Sequence, residues 1–279
     1  MIVEDISKVK LIDKFGKTIS KKNIINDYEE LNNFFLKNKF KKLVFLLVDN
    51  SYPSIIFYIS LLKSGHTITL INSNIKLQNL IDLINIYKPN DIITKRILDL
   101  NFYQEVYKLH GYSCYKIKKK KNHYINEELF FLLTTSGSTG SSKLVRLSYK
   151  NIESNTKSIV KFLNIKSSDK LITTLPPDYT YGFSQLNTHL YKSSTIILND
   201  YSIIQRDFWE LLCKTQATTF GGVPYTYELL KKIKFENYNL SSLKYITQAG
   251  GKLSKENQKY FYNILKKKKI KLIIMYGAT

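Results

Sequence analysis

The chain has 279 residues, 43% of them hydrophobic, with 15 Phe and 21 Tyr. That is enough to bury one large core or two ordinary ones, and it excludes a disordered, coiled-coil or collagen-like chain. The 43 Lys and Arg against 22 Asp and Glu give a formal charge of +21, which admits a nucleic acid, an anionic membrane or an anionic small molecule as partner. Only Arg96, Arg146 and Arg206 are arginines, whereas base-edge and bidentate phosphate readers favour that residue. The lysine excess is therefore read as solvated faces, and no specific nucleic acid is expected.

The first residues, Met1 to Asp5, place two acids where a secretory leader needs basic residues. The longest apolar stretch, Ser54 to Leu62, is about half of the ~20 residues that a bilayer requires, so no membrane span is expected. Short apolar runs at Leu43 to Val48, Thr67 to Ile71 and Ile92 to Ile93 alternate with longer stretches at Pro53 to Lys63 and Leu77 to Ile86 that can close a helical stripe. Pro53 suits a first helical turn and Gly65 a C-cap. This alternation predicts a parallel sheet covered by helices.

Cys114 and Cys213 lie far apart and match neither a zinc pattern nor a disulfide framework, which points to a reducing, cytoplasmic setting. The run Lys116 to His123 breaks the alternation and sets the expected division, 1–123 and 124–279. Beyond it, strands are expected near Leu129 to Leu133, Leu171 to Thr174, Thr195 to Leu198, Thr218 to Phe220, Tyr245 to Thr247 and Leu272 to Met275. Helices are expected around 149–163, 204–214, 225–233 and 255–267. The fold class is thus α/β, with two Rossmann-like parallel-sheet subdomains, the second carrying the loop described next.

Phe130 to Lys143 stands apart. A buried strand runs into Thr134-Thr135-Ser136-Gly137-Ser138-Thr139-Gly140-Ser141-Ser142, then Lys143, with Ser148 placed to cap a helix. Glycines let backbone N–H groups converge, hydroxyls add donors, and the lysine supplies charge, so the loop can hold a polyphosphate. Two serines separate Gly140 from Lys143, so this is not a Walker loop. His66, His110 and His123 have no acidic or cysteine company at metal spacing, and no metal site is assigned; His189 is read as a satisfied core or surface histidine.

Thr135 to Lys143 resembles the phosphate-loop signature of the adenylate-forming (AMP-binding) superfamily. Further segments agree in the family's order: Leu175-Pro176-Pro177-Asp178-Tyr179-Thr180-Tyr181-Gly182 resembles its acyl-pocket motif and Gly222-Val223-Pro224-Tyr225-Thr226-Tyr227 its later substrate wall. Ala249-Gly250-Gly251-Lys252-Leu253 resembles the adenine-side loop, and Tyr276-Gly277-Ala278-Thr279 the start of the Tyr-Gly-x-Thr-Glu motif. Val48 to Ser51 and Lys63 to His66 resemble the opening Rossmann-like unit, so the likeness covers nearly the whole chain. Three positions depart: Ser142 stands where Pro is usual, Leu144 where Gly is usual, and Tyr179 where many members have a gating His.

The resemblance implies the N-terminal domain of an acyl-CoA-synthetase-like ligase that joins a carboxylic acid to AMP and expels pyrophosphate. It implies ATP and Mg²⁺ as cofactors, with CoA or a carrier-protein phosphopantetheine as acceptor. Lys143 and the loop residues Thr135, Ser136, Gly137, Ser138, Thr139 and Gly140 would hold the β and γ phosphates, and Thr279 would reach the α-phosphate. Lys143 and Thr279 are thus the catalytic candidates. Gly250, Gly251, Lys252, Tyr276 and Gly277 would complete the nucleotide side, and Tyr179, Tyr181, Gly182, Val223 and Pro224 the acid side.

In the family a metal-holding Glu follows Thr279, then a ribose-binding Asp, a hinge and a small C-terminal domain. The expectation is accordingly a weakly active or inactive N-terminal portion, partnered by a separate C-terminal half or an acyl carrier protein. A non-catalytic nucleotide-binding fragment, half of a split enzyme, and a basic nucleic-acid-binding protein are the alternatives.

Overall fold

The computed structural model describes residues 2–37, 40–118, 124–134 and 143–277. In chain order these form β1 (Lys10–Ile12), α1 (Lys21–Leu36), β2 (Leu43–Val48), α2 (Tyr52–Ser64), β3 (Thr67–Asn72), α3 (Leu77–Tyr87), β4 (Asp91–Thr94), β5 (Tyr103–Leu109) and β6 (Tyr112–Ile117). There follow β7 (Leu129–Thr134), β8 (Leu144–Ser148), α4 (Tyr149–Leu163), β9 (Lys170–Ile172), α5 (Thr180–Tyr191), β10 (Thr195–Ile197) and α6 (Arg206–Thr215). The last are β11 (Thr219–Gly222), α7 (Pro224–Lys232), β12 (Tyr245–Gln248), α8 (Lys255–Lys267) and β13 (Lys271–Ile274).

One unit comprises Lys22–Asn155 with Pro176–Thr180 and holds a seven-stranded mixed sheet, ordered β5-β6-β4-β2-β3-β7-β8. Strands β4, β2, β3 and β7 run parallel, while β6, β5 and β8 pair antiparallel. Every residue of β2 is buried, because both faces of a parallel strand are covered. Helix α2 has Pro in its first turn and ends on Gly65 at φ 71°, the left-handed conformation that glycine adopts without strain. The β5–β6 hairpin turns through His110 and Gly111, with φ 47° and 79°, so its two-residue connection has the positive dihedrals that match sheet twist.

The other unit comprises the residues up to Lys21, Thr156–Leu175 and the chain from Tyr181 onward. Its sheet is entirely parallel, ordered β1-β10-β9-β11-β12-β13. Phe208, Trp209, Phe220, Tyr227, Phe235 and Phe261 build its core. Each such side chain contributes about 1.5–3 kcal/mol by leaving water. Trp209 Nε1 donates to Ile203 O at 2.9 Å, and its ring stacks on Tyr238 with centroids 4.5 Å apart.

The α/β class and the pair of sheets match the sequence expectation, with one sheet mixed rather than parallel throughout. The expected division at residues 123/124 falls inside the seven-stranded unit. Strand β7, apolar on both faces, completes the parallel part of that sheet beside β3, and β8 follows it on the edge. Lys116 and Ile117 belong to β6, so the lysine run begins inside a strand. Strand β1 pairs with β10, which places the first residues with the six-stranded sheet.

Candidate active site

Parallel strands deliver their following loops to one edge, and in open α/β sheets that carboxyl edge is where ligands bind. In the six-stranded unit, Gly222, Gln248 and Ile274 are register partners at the ends of β11, β12 and β13. The segments that follow them are therefore neighbours: Val223-Pro224, Gly250-Gly251-Lys252 and Tyr276-Gly277. Two backbone bonds join the strand ends, Ala249 N to Gly222 O at 3.3 Å and Met275 N to Gln248 O at 2.8 Å.

Pro224 opens α7, where its missing N–H is no loss, and Thr226 Oγ1 accepts from Val223 N at 3.2 Å. Gly250 has φ 78°, and Gln248 Nε2 donates to Gly251 O at 2.8 Å, which fixes the turn. A Cβ on Gly251 would lie 3.0 Å from Pro224 Cγ, so the expected adenine-side and acid-side segments touch here. Lys252 is exposed. Tyr276 is 99% exposed.

Tyr181 has the opposite environment. It is buried on α5, and its OH donates to Thr247 Oγ1 at 2.6 Å. Gln185, one turn on, reaches the same oxygen at 3.4 Å, and Tyr227 OH donates to Thr247 O at 2.9 Å. Gly221 makes room for this cluster: a Cβ there would sit 1.8 Å from Gln185 Nε2 and 2.6 Å from Tyr181 OH. Thr174 Oγ1 bonds to Gly221 O. Gly182 is also buried.

Between α5 and the sheet is a cavity of about 10 Å³, room for roughly one water. Tyr181, Gln185, His189, Tyr245, Thr247 and Met275 are among its lining residues. His189 is wholly inside, and burial pushes its imidazole down to about 4. His189 Nδ1 lies 2.8 Å from Gln185 O; a carbonyl only accepts, so Nδ1 carries the proton. His189 Nε2 is buried without a hydrogen-bond partner among the described residues, and the buried Tyr245 hydroxyl has the Thr219 side chain as its hydrogen-bonding neighbour. Burial also pushes the Tyr245 phenol up, to about 12. Sequence reasoning assigned none of Gln185, His189, Tyr245 and Thr247 to the site; positions 181, 185 and 189, one helical turn apart, were the available signal.

In the seven-stranded unit, the carboxyl edge of β3 and β7 is the counterpart. Strand β7 ends at Thr134, whose register partner is Leu144 at the start of β8. Thr135, Ser136, Gly137, Ser138, Thr139 and Gly140, with Ser141 and Ser142, lie outside the described residues, as does Thr279. The described flanks nevertheless fix the setting: the hydroxyl-rich segment connects two paired strands, with Lys143 exposed at its end. Leu144, in a position where glycine is usual, instead begins a strand. Ser148 caps α4, accepting from Asn151 N at 3.2 Å while Asn151 Oδ1 accepts from Ser148 N at 2.9 Å.

At the end of β3, Asn72 Nδ2 donates to Asp178 Oδ1 at 3.1 Å and Oδ2 at 3.3 Å. This holds the segment that carries Tyr179, itself half-buried. Burial raises the Asp178 carboxyl above its ordinary range, against the opposing pull of Asn72. Among the described residues no group of three or more His, Cys, Asp or Glu side chains is placed to hold a metal ion, so no step below runs through one.

Residues 35–279 match the sequence profile of the AMP-binding enzymes. A peroxisomal OPC-8:0-CoA ligase 1 of Arabidopsis thaliana is 31% identical over 155 residues, covering 53% of this chain and 28% of the relative. A medium-chain fatty-acid CoA ligase of Escherichia coli (strain K12) is 27% identical over 157 residues, covering 55% of this chain and 26% of the relative. Among solved structures, VinN in complex with L-aspartate superposes with TM-score 0.77 at 17% identity, over 96% of this chain and 71% of that one. CmiS6 superposes with TM-score 0.78 at 14% identity, over 98% and 67%. At those identities the structures speak for the fold alone, but the profile match extends over most of the sequence, and the chain belongs to the AMP-binding enzyme family.

Proposed function

We propose that the chain takes part in ATP-dependent activation of a carboxylic acid, by acyl-adenylate formation of the acid–thiol ligase type. A carboxylate oxygen attacks the α-phosphorus of ATP, the bond to the pyrophosphate oxygen breaks, and an acyl adenylate and pyrophosphate result. The reaction brings two anions together, so the protein must position them and neutralise charge as it develops. The observation that carries this reading is the convergence of Val223-Pro224, Gly250-Gly251 and Tyr276-Gly277 at adjacent strand ends of one parallel sheet.

In this reading Tyr276 offers its ring face to adenine, and Gly250 and Gly251 let the ring approach the backbone. Lys143 and the residues 135–140 hold the β and γ phosphates, and Thr279 meets the α-phosphate. Tyr179, Tyr181, Gly182, Val223 and Pro224 border the acid. Magnesium would supply charge neutralisation on the phosphates when present, and CoA or a carrier-bound phosphopantetheine is the proposed acceptor. Cys114 and Cys213 are free thiols, which supports a reducing compartment such as the cytoplasm. None of the helices among the described residues is long and apolar enough to cross a membrane.

The test is isotope exchange between pyrophosphate and ATP across a panel of carboxylic acids. Acid-dependent exchange supports the full reaction. ATP binding without exchange for any acid leaves a nucleotide-binding protein, and absence of both contradicts the proposal.

A further inference from the structure

Beneath α5 lies the cavity lined by His189 and Tyr245. We propose that the substrate is a short carboxylic acid, uncharged apart from its reacting carboxylate, whose far end carries a hydroxyl bound by His189 and Tyr245. This deepens, and rests on, the reading of the chain as a carboxylate-activating protein.

Position comes first. Tyr181 from the acid side and Met275, which immediately precedes Tyr276, both line the cavity, so it lies beside the proposed acid and adenine sites. Size comes second. At about 10 Å³ the space admits one water-sized group, and its walls are tied down by the bonds of Tyr181 and Gln185 to Thr247. A medium or long alkyl chain would have to break that cluster to enter.

The lining's chemistry then selects the end group. His189 donates through Nδ1 to Gln185 O and is held neutral by burial, so its Nε2 presents a lone pair. Tyr245 also lines the cavity, and beyond the neighbouring Thr219 side chain its hydroxyl has no hydrogen-bond partner among the described residues. A hydroxyl satisfies both, donating to Nε2 and accepting from the phenol. An alkyl end satisfies neither and leaves His189 Nε2 buried and unpaired. Among the described residues the cavity lining contains no Asp, Glu, Lys or Arg, and the nearby Asp169 is already paired with Lys244, so an ammonium or a second carboxylate would enter without a free counter-charge.

Calorimetry with the chain, ATP and three acyl sulfamoyladenosines tests this: one with a terminally hydroxylated propanoyl group, its isostere with butanoyl, and one with octanoyl. The hydroxylated mimic is expected to bind about tenfold or more tightly than butanoyl, with octanoyl weaker still. Tyr245→Phe should narrow the gap between the first two. Equal affinity for the isosteres means that the cavity holds only a structural water and overturns the inference, as does tightest binding of octanoyl or a preference undiminished in Tyr245→Phe. If ATP binds and the order of mimics is wrong, this inference alone falls. If neither ATP nor any mimic binds, the carboxylate-activating reading falls with it.

Discussion

Tyr181 and Tyr276 belong to the same six-stranded unit and to the same proposed site, yet their surroundings are opposite. Tyr181 is buried, bonded to Thr247, and packed where a neighbouring glycine has no space for a methyl group. Tyr276 stands 99% exposed just past β13, and a Cβ on Gly277 beside it would meet nothing within 4 Å. The proposed acid side is thus part of the folded framework, whereas Tyr276 on the proposed adenine side is exposed. Substitutions on the first should alter stability and selectivity together; on the second they should alter ligand binding alone.

The largest expected effect comes from Gly221→Ala. Its new methyl would collide with Gln185 and Tyr181, both held by bonds to Thr247, so relief requires movement of α5 or β11. Overpacking of this kind commonly costs about 1–3 kcal/mol, and the loss of the buried Thr247 bonds takes this case to the upper end. Urea unfolding should show a clear fall in midpoint, while Gly277→Ala leaves it unchanged.

Acid acts on the buried groups and spares the exposed ones. Burial holds His189 in the six-stranded unit near 4, and burial with the nearby Lys42 holds His66 in the other unit near 4, both below the ordinary 6.5. The unfolded chain therefore binds more protons between these values. The stabilisation is complete above about pH 6.5, declines as pH falls, and is exhausted near pH 4. Each group contributes on the order of 3 kcal/mol. Unfolding midpoints measured from about pH 7 to about pH 4.5 should fall steadily in the wild type, with a shallower slope in His66→Phe.

Smaller effects separate the two tyrosines directly. Tyr181→Phe removes one buried hydrogen bond and should cost about 1 kcal/mol of stability. Tyr276→Ala should leave stability unchanged and weaken ATP binding by about 0.5–1.5 kcal/mol, the value of one aromatic stacking contact, read by calorimetry.

Local pattern predicts much of this fold. The six apolar residues of β2 imply a strand covered on both faces, and Pro53 and Gly65 bracket α2 correctly. Helix α4 spans Tyr149–Leu163 as expected, and Ser148 caps it. What local pattern cannot show is pairing. Strand β8 follows directly on the hydroxyl-rich segment and reads as a lead into α4; only its pairing with β7 makes it a strand. Helix α5 has no apolar stripe, because Gln185, Asn187, Thr188 and His189 are buried with its hydrophobic residues, so its periodicity is silent. For the same reason the cavity was illegible. Tyr181 was visible through its motif, but Thr247 and Tyr245 meet it only through sheet order.

The nucleotide end of the proposed site depends on Lys143, which follows directly on the segment bridging β7 and β8. Calorimetric titration of ATP into the wild type and Lys143→Ala tests this assignment most directly. A charge-assisted contact to phosphate is worth about 1.5–3 kcal/mol, so the variant should bind ATP about tenfold or more weakly. Equal affinity in the two proteins would contradict the assignment of this segment as the phosphate site.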